Sequence, residues 1–283
     1  MASADTNPRY LVFDVESVAD GELVAAIQYP KENHLSQSQA IERYRGERQE
    51  KYGSDFIPYT FQKPVSVAVA KVAANFELLD LVTLDDPEYR TPVIVENFWR
   101  GWLQYDEPTL VSFNGRGFDI PLLELAAYRY GVAIPAWFNL ENRAYDQKRN
   151  RYNLKSHLDL QDLITNFGPT RLNGGLNLIA TLLGLPGKMD IAGHMVQNLY
   201  DEGNLAEINS YCRCDVLDTY LVFLRSKVLT GALKLDQERA LFAKTRQWLE
   251  ERVDQQPIYG DYLEKWRPWN NPWEDRLELE SPS

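Results

Sequence analysis

Short apolar runs alternate with longer amphipathic stretches along this chain, as expected for a sheet flanked by helices. Residues 9–14, centred on Tyr10-Leu11-Val12-Phe13, read as a buried strand that ends in a carboxylate. From residue 20 to 59 the composition turns polar and helical, as in Ser36-Gln37-Ser38-Gln39-Ala40-Ile41-Glu42-Arg43-Tyr44. That stretch reads as an insertion carrying one helix. Residues 64–73 and 76–84 are two strand-like runs parted at Ala74-Asn75, which predicts a hairpin. Thr91-Pro92 opens a helix predicted to reach residue 105, with proline in its first turn. Residues 109–113 form another buried strand, and 119–130 a helix that stops at Gly131.

The second half is more helical. Residues 138–155 are polar, aromatic and basic, hence a predicted loop. Helical patterns follow at 158–166, at 176–183 with a stop at Gly184, and over a long span at 205–229. A charged helix is predicted over 237–253, and the tail after Pro257 is rich in tryptophan, proline and acidic residues. The order of elements fits a mixed sheet flanked by helices, though several α/β folds share it.

Composition narrows the classes. A chain of 283 residues, 44% hydrophobic and 12% aromatic, can bury a sizeable core as one large or two small domains. No run approaches the roughly eighteen apolar residues of a membrane span. The start, Met-Ala-Ser-Ala-Asp-Thr-Asn-Pro, lacks a basic and apolar leader, so a cytoplasmic location is expected. The only cysteines, Cys212 and Cys214, are too close on a helix to bridge, which fits a reducing compartment. A net charge of −11 excludes a general nucleic-acid-coating protein, but not a weak, distributive enzyme whose bound cations reverse the local sign.

Three separated segments place acidic residues with a chemical logic. Phe13-Asp14-Val15-Glu16 ends the first strand, so Asp14 and Glu16 leave the same face of the sheet. Asn114-Gly115-Arg116-Gly117-Phe118-Asp119 joins the 109–113 strand to a helix. Tyr211-Cys212-Arg213-Cys214-Asp215 lies in the long helix, with Tyr211 and Asp215 on one face. Each alone has an ordinary explanation: a solvated strand end, a helix-capping aspartate, an amphipathic helix. In this order, and on these elements, they suit phosphodiester hydrolysis. Two divalent cations roughly 4 Å apart stabilise charge on the attacking and leaving oxygens, and carboxylates are the ligands that Mg²⁺ prefers.

Together the segments resemble the three motifs of the DEDD superfamily of 3′-5′ exonucleases, in the branch with tyrosine in the third motif. The histidine branch needs histidine five residues before the last aspartate, where Ser210 stands. His34, His157 and His194 form no metal-binding spacing. Phe-Asp-Val-Glu, Asn-Gly-x-x-Phe-Asp and Tyr-x-x-x-Asp look most like the exonuclease domain of family B DNA polymerases, and the stand-alone bacterial exonucleases predicted to be related to it. The resemblance covers about residues 9–225 and implies an α/β, ribonuclease-H-like fold. It implies that Asp14, Glu16, Asp119 and Asp215 hold two Mg²⁺ or Mn²⁺ ions and that Tyr211 orients the attacking water. Asn114, Phe118 and Val15 would lie beside the terminal nucleotide.

The domain expectation is an exonuclease domain over 9–230, interrupted at about 20–59, then a C-terminal helix and Trp-rich tail over 231–283. Lys148, Arg149, Arg151 and Lys155, with Tyr145 and Tyr152 between them, are candidate strand-binding residues, weighed against a solvated loop. The inserted helix mixes Arg43, Arg45, Arg48 and Lys51 with Glu42, Glu47 and Glu50, and reads as a plain exposed helix. Asp159 and Asp162 read as helix-terminal charges and Asp218 as exposed. Leu183-Gly184-Leu185-Pro186-Gly187-Lys188 reads as a helix stop, and the four tryptophans from Trp248 onward as a tail docked on the domain.

The expected function is 3′-5′ hydrolysis of single-stranded nucleic acid, DNA ahead of RNA, to nucleoside 5′-monophosphates, with no membrane partner. The alternatives are an exoribonuclease of the same fold, an inactive nucleic-acid-binding module, and a scaffold assembled through the tail. Pathway and oligomeric state are not legible.

Overall fold

Strand β1 (Tyr10–Ala19) lies at the centre of the sheet, between β2 (Gln62–Val72) and β4 (Thr109–Ser112). The computed structural model describes residues 7–187 and 195–273. Among these the sheet has the order β3-β2-β1-β4-β5, with β3 at Leu78–Thr83 and β5 at His157–Asp159. Neighbours β1, β2 and β3 run antiparallel, whereas β4 and β5 run parallel to β1. This is the mixed, helix-flanked, ribonuclease-H-like sheet that the motifs implied.

The alternation of β1 sorts two cores. Leu11, Phe13 and Val15 face one side, against α3 (Thr91–Gln104) and α4 (Asp119–Tyr130). Val12 faces the other, against the 25-residue α8 (Leu205–Leu229). Asp14 and Glu16 therefore lie on the α8 side, which crosses β1 and β2.

Helix α4 starts at Asp119 and stops at Gly131, whose φ of 69° favours glycine. The limits of α8 coincide with the predicted ones. β1 runs beyond residue 14 because Val15 and Glu16 continue the pairing with β2 and Ser17 to Ala19 resume it after a register shift at Glu16/Ser17. The insertion carries two helices rather than one. α1 (Gly21–Gln28) is capped by Asp20, and α2 (Gln37–Tyr52) opens on a Ser36–Gln39 capping box.

The predicted helix at 158–166 begins instead as β5, since Leu110 to Ser112 hold His157 to Asp159 in register. Only residues 160–164 are helical, as α5 (Leu160–Ile164). α6 (Gly175–Leu182) ends near Gly184 as predicted, while α7 (Val196–Asp201) carried no clear signal. Lys188 and His194 lie outside the described residues.

α9 (Leu235–Glu250) and α10 (Ile258–Lys265) pack on α8. Leu241, Leu249, Tyr259, Tyr262 and Trp266 join its apolar core. Trp269 covers the Arg225 guanidinium at 4.3 Å, and the Arg267 N–H donates to the Gly184 oxygen at 2.7 Å. The tail thus docks as far as Trp269; its end lies outside the described residues. Among the described residues no helix is long and apolar enough to cross a membrane.

Candidate active site

Three carboxylates from two elements converge where β1 meets α8. Single oxygens of Asp14, Glu16 and Asp215 all lie within 4.8 Å of one another, and each residue is half-buried. Helical spacing brings them together: Ile208, Tyr211, Cys212 and Asp215 are one or two turns apart on the same face of α8. Cys212 is fully buried, and its thiol donates to the main-chain oxygen of Asp14 at 3.4 Å and to Oδ2 at 3.8 Å. Arg213, on another face, ties α8 to β3 through the Leu81 oxygen at 3.0 Å and Thr83 Oγ1 at 2.8 Å.

Burial raises the Asp14 carboxyl to about 6, against the Cys212 thiol and the Val15 N–H, which favour its charged form. Tyr211 is buried, one helical turn before Asp215. Burial first, then the charges of Asp215, Glu16 and Asp14, push its pKa far upward. Tyr211 therefore keeps its proton near neutral pH.

Asp119 heads α4 and is 5% exposed. It stands apart from the three-carboxylate group, yet it is near enough to feel it. Burial, then the Asp14 and Asp159 charges, raise its pKa well above the carboxylate range. The loop before it is tightly held. Asp159 Oδ1 accepts the Asn114 N–H at 2.9 Å and Oδ2 the Arg116 N–H at 2.8 Å. Oδ1 also accepts from Gln161 N at 3.0 Å and Asp162 N at 3.3 Å, capping α5. Asp159 is thus the helix cap that its position suggested and, in addition, the latch of the Asn114–Arg116 loop.

Glycine is required at 115, where a Cβ would come within 2.3 Å of Ser112 Oγ and 3.0 Å of Asp119 Oδ2. Asn114 is exposed with φ 62°, and Phe118 is half-buried with its ring 6.0 Å from that of Phe56. Val15 faces the opposite core at 5% exposure, so its side chain is not available to a ligand at the carboxylates.

The basic loop is already engaged. Lys148 pairs with Glu107, and Arg149 reaches both oxygens of Glu124 at 2.7 Å. Arg151 reaches Asp162 at 3.3 Å and the Phe167 oxygen at 3.1 Å. These carboxylates lie far off in sequence, so the charges looked free when read along the chain.

Asp218 corrects another expectation. It is fully buried rather than exposed, accepting the Tyr262 hydroxyl at 2.7 Å. His157, also fully buried, lies 2.7 Å from Ser112 Oγ, and burial holds its pKa well down. Sequence reading missed Cys212 and the latching role of Asp159. Their sole signals were adjacency to Tyr211 and a place at a strand end.

The donor set fits the implied metal. Clustered carboxylates repel one another and lose hydration on burial, and a hard divalent cation with oxygen ligands would relieve both costs.

Residues 54–266 match a family described as predicted 3′-5′ exonuclease related to the exonuclease domain of PolB. The match includes Asp119, Tyr211 and Asp215 and begins after Asp14 and Glu16, which the fold brings beside Asp215. A DNA polymerase of Archaeoglobus fulgidus is 23% identical over 169 residues, 59% of this chain and 20% of the polymerase. The family B DNA polymerase of Pyrobaculum calidifontis aligns in structure at 14% identity with a TM-score of 0.48, over 88% of this chain and 29% of that one. The chain thus spans less than a third of the length of either polymerase.

Proposed function

Because the chain belongs to the family of predicted 3′-5′ exonucleases related to the exonuclease domain of PolB, we propose that it removes nucleotides from the 3′ end of single-stranded DNA, releasing nucleoside 5′-monophosphates. The observation that carries this reading is the convergence of Asp14, Glu16 and Asp215, with Tyr211 buried one helical turn before Asp215.

Asp14, Glu16 and Asp215 are the residues that would hold Mg²⁺ or Mn²⁺, with Asp119 contributing to a second ion beside Asp14. When bound, such ions supply the charge that lowers the pKa of water and stabilises the attacking and leaving oxygens. Tyr211 keeps its proton and orients the attacking water from the Asp215 side. The Asp159 latch fixes the loop that carries Asn114 and delivers Phe118 and Asp119 to the edge of the site, where the terminal nucleotide would lie. Lys148, Arg149 and Arg151 act chiefly as structural ties, and contact a strand only if their ion pairs open.

The test is a gel time course on 5′-labelled single-stranded DNA and RNA with Mg²⁺ or Mn²⁺, beside Asp14→Ala. A ladder shortening from the 3′ end, absent in the variant, is the expected result. A faster ladder on RNA would reassign the substrate. No shortening of either strand by the unaltered protein would overturn the enzymatic reading.

A further inference from the structure

Two cations near the end of α2 face no carboxylate partner. Among the described residues Arg48 and Lys51 form no ion pair, whereas Arg43 holds Glu32 and Glu47, and Arg45 holds Glu42. The helical period puts Arg48, Lys51 and Tyr52 on one side of α2 and Glu50 on the other. Both cations gather at the Tyr52 ring, Arg48 at 4.9 Å and Lys51 at 5.1 Å, and that ring is 60% exposed.

Beyond Gly53 the linker returns toward the sheet, and its main chain is held on both sides of Phe56. Arg48 Nε donates to the Phe56 oxygen at 2.5 Å, and the Phe56 N–H donates to Ser54 Oγ at 3.3 Å. Ile57 is buried at 4%, and its oxygen accepts from Gln62 Nε2 at 2.5 Å. With its backbone fixed and its neighbour buried, Phe56 nonetheless leaves 55% of its surface in solvent. Its ring centroid lies 6.0 Å from that of Phe118, at the rim of the site, with a 50° tilt. Phe118 is the residue immediately before Asp119. An exposed ring on a tethered main chain, beside a guanidinium that no carboxylate neutralises, is the pairing that receives a base and its phosphate.

We propose that the end of α2 and the 53–58 linker form a ledge for a single nucleic-acid strand. A base stacks on Phe56, and Arg48 and Lys51 take the adjoining phosphates. The ledge rests on the exonuclease reading for its purpose, but its binding can be measured without cleavage. It assigns a role to the insertion, and it moves strand contact away from Lys148, Arg149 and Arg151. Asp55, exposed beside Phe56, limits how tightly phosphates are held and suits a distributive enzyme.

The experiment is fluorescence anisotropy of a labelled single-stranded oligonucleotide with the full chain in EDTA, run alongside the cleavage ladder. Phe56→Leu should weaken binding about tenfold, and Phe56→Trp should restore it, because stacking needs a ring and not merely an apolar side chain. Arg48→Ala should flatten the slope of log Kd against log salt by about 0.7, the loss of one phosphate contact. Equal affinity for Phe56→Leu and the unaltered protein, or no strand binding by the unaltered protein, would overturn the ledge. If the unaltered protein binds a strand through Phe56 but produces no ladder, the exonuclease reading fails and the ledge stands.

Discussion

The thiol of Cys212 lies 3.4 Å from the main-chain oxygen of Asp14 and 3.8 Å from its carboxylate Oδ2. It links the third motif to the first and fixes how Asp14 is presented. Cys212→Val keeps the volume and removes the donor. Its kcat should fall about tenfold, as for the loss of a group that orients a metal ligand. Cys212→Ser should stay within about threefold of the unaltered enzyme. Equal rates for the valine and serine variants would show that the contact is packing alone.

Asp14→Asn should separate stability from activity. Removing one charge from three converging carboxylates relieves repulsion and desolvation, so the variant should be about 1–3 kcal/mol more stable in EDTA at pH 8. Mn²⁺ should raise the melting temperature of the unaltered protein and leave that of the variant unmoved. Thermal denaturation with and without the metal checks both. Equal metal stabilisation of the two proteins would remove Asp14 from the ligand set.

Asp159→Ala strips partners from Asn114 N and Arg116 N and uncaps α5. The summed cost is about 2–4 kcal/mol, which urea unfolding would read directly. Cleavage should fall tenfold or more at temperatures where the variant is fully folded, since the loop before Asp119 is then free to shift. Full activity in the folded variant would confine Asp159 to a structural role.

Asp218, one helical turn beyond Asp215, supplies a pH test. Burial raises its pKa from 3.8 to about 7, against the Tyr262 hydroxyl and the Gly187 N–H. Because the folded value is the higher one, its contribution to stability is complete below about pH 4 and fades as pH rises to about 7. The loss is about 4 kcal/mol at most. Asp218→Asn should match the unaltered protein near pH 4 and exceed it in stability at pH 8. Parallel stability curves for the two proteins between pH 4 and pH 8 would refute the buried, proton-holding carboxyl.

Much of this molecule is written locally. The limits of α8 and α4, the Gly131 stop and the β2–β3 hairpin follow from periods and caps spanning a few residues, and so were legible along the chain. Asp14, Glu16 and Asp215, which the fold gathers, were legible for the same reason, through motif and spacing. What lay beyond reach depends on partners distant in sequence. Strand β5 is three residues long, too short to show a period, and exists because β4 pairs with it. Asp218 looked solvent-facing until α10 brought Tyr262 over it. Lys148, Arg149 and Arg151 looked free until folding set Glu107, Glu124 and Asp162 beside them. The sequence by itself determined which long elements form and which side chains are candidates for a metal site, since local backbone preference and residue type are properties of neighbours. Only the tertiary structure decided which charges are spent on one another and which stay available, because burial and pairing are set by packing between remote segments.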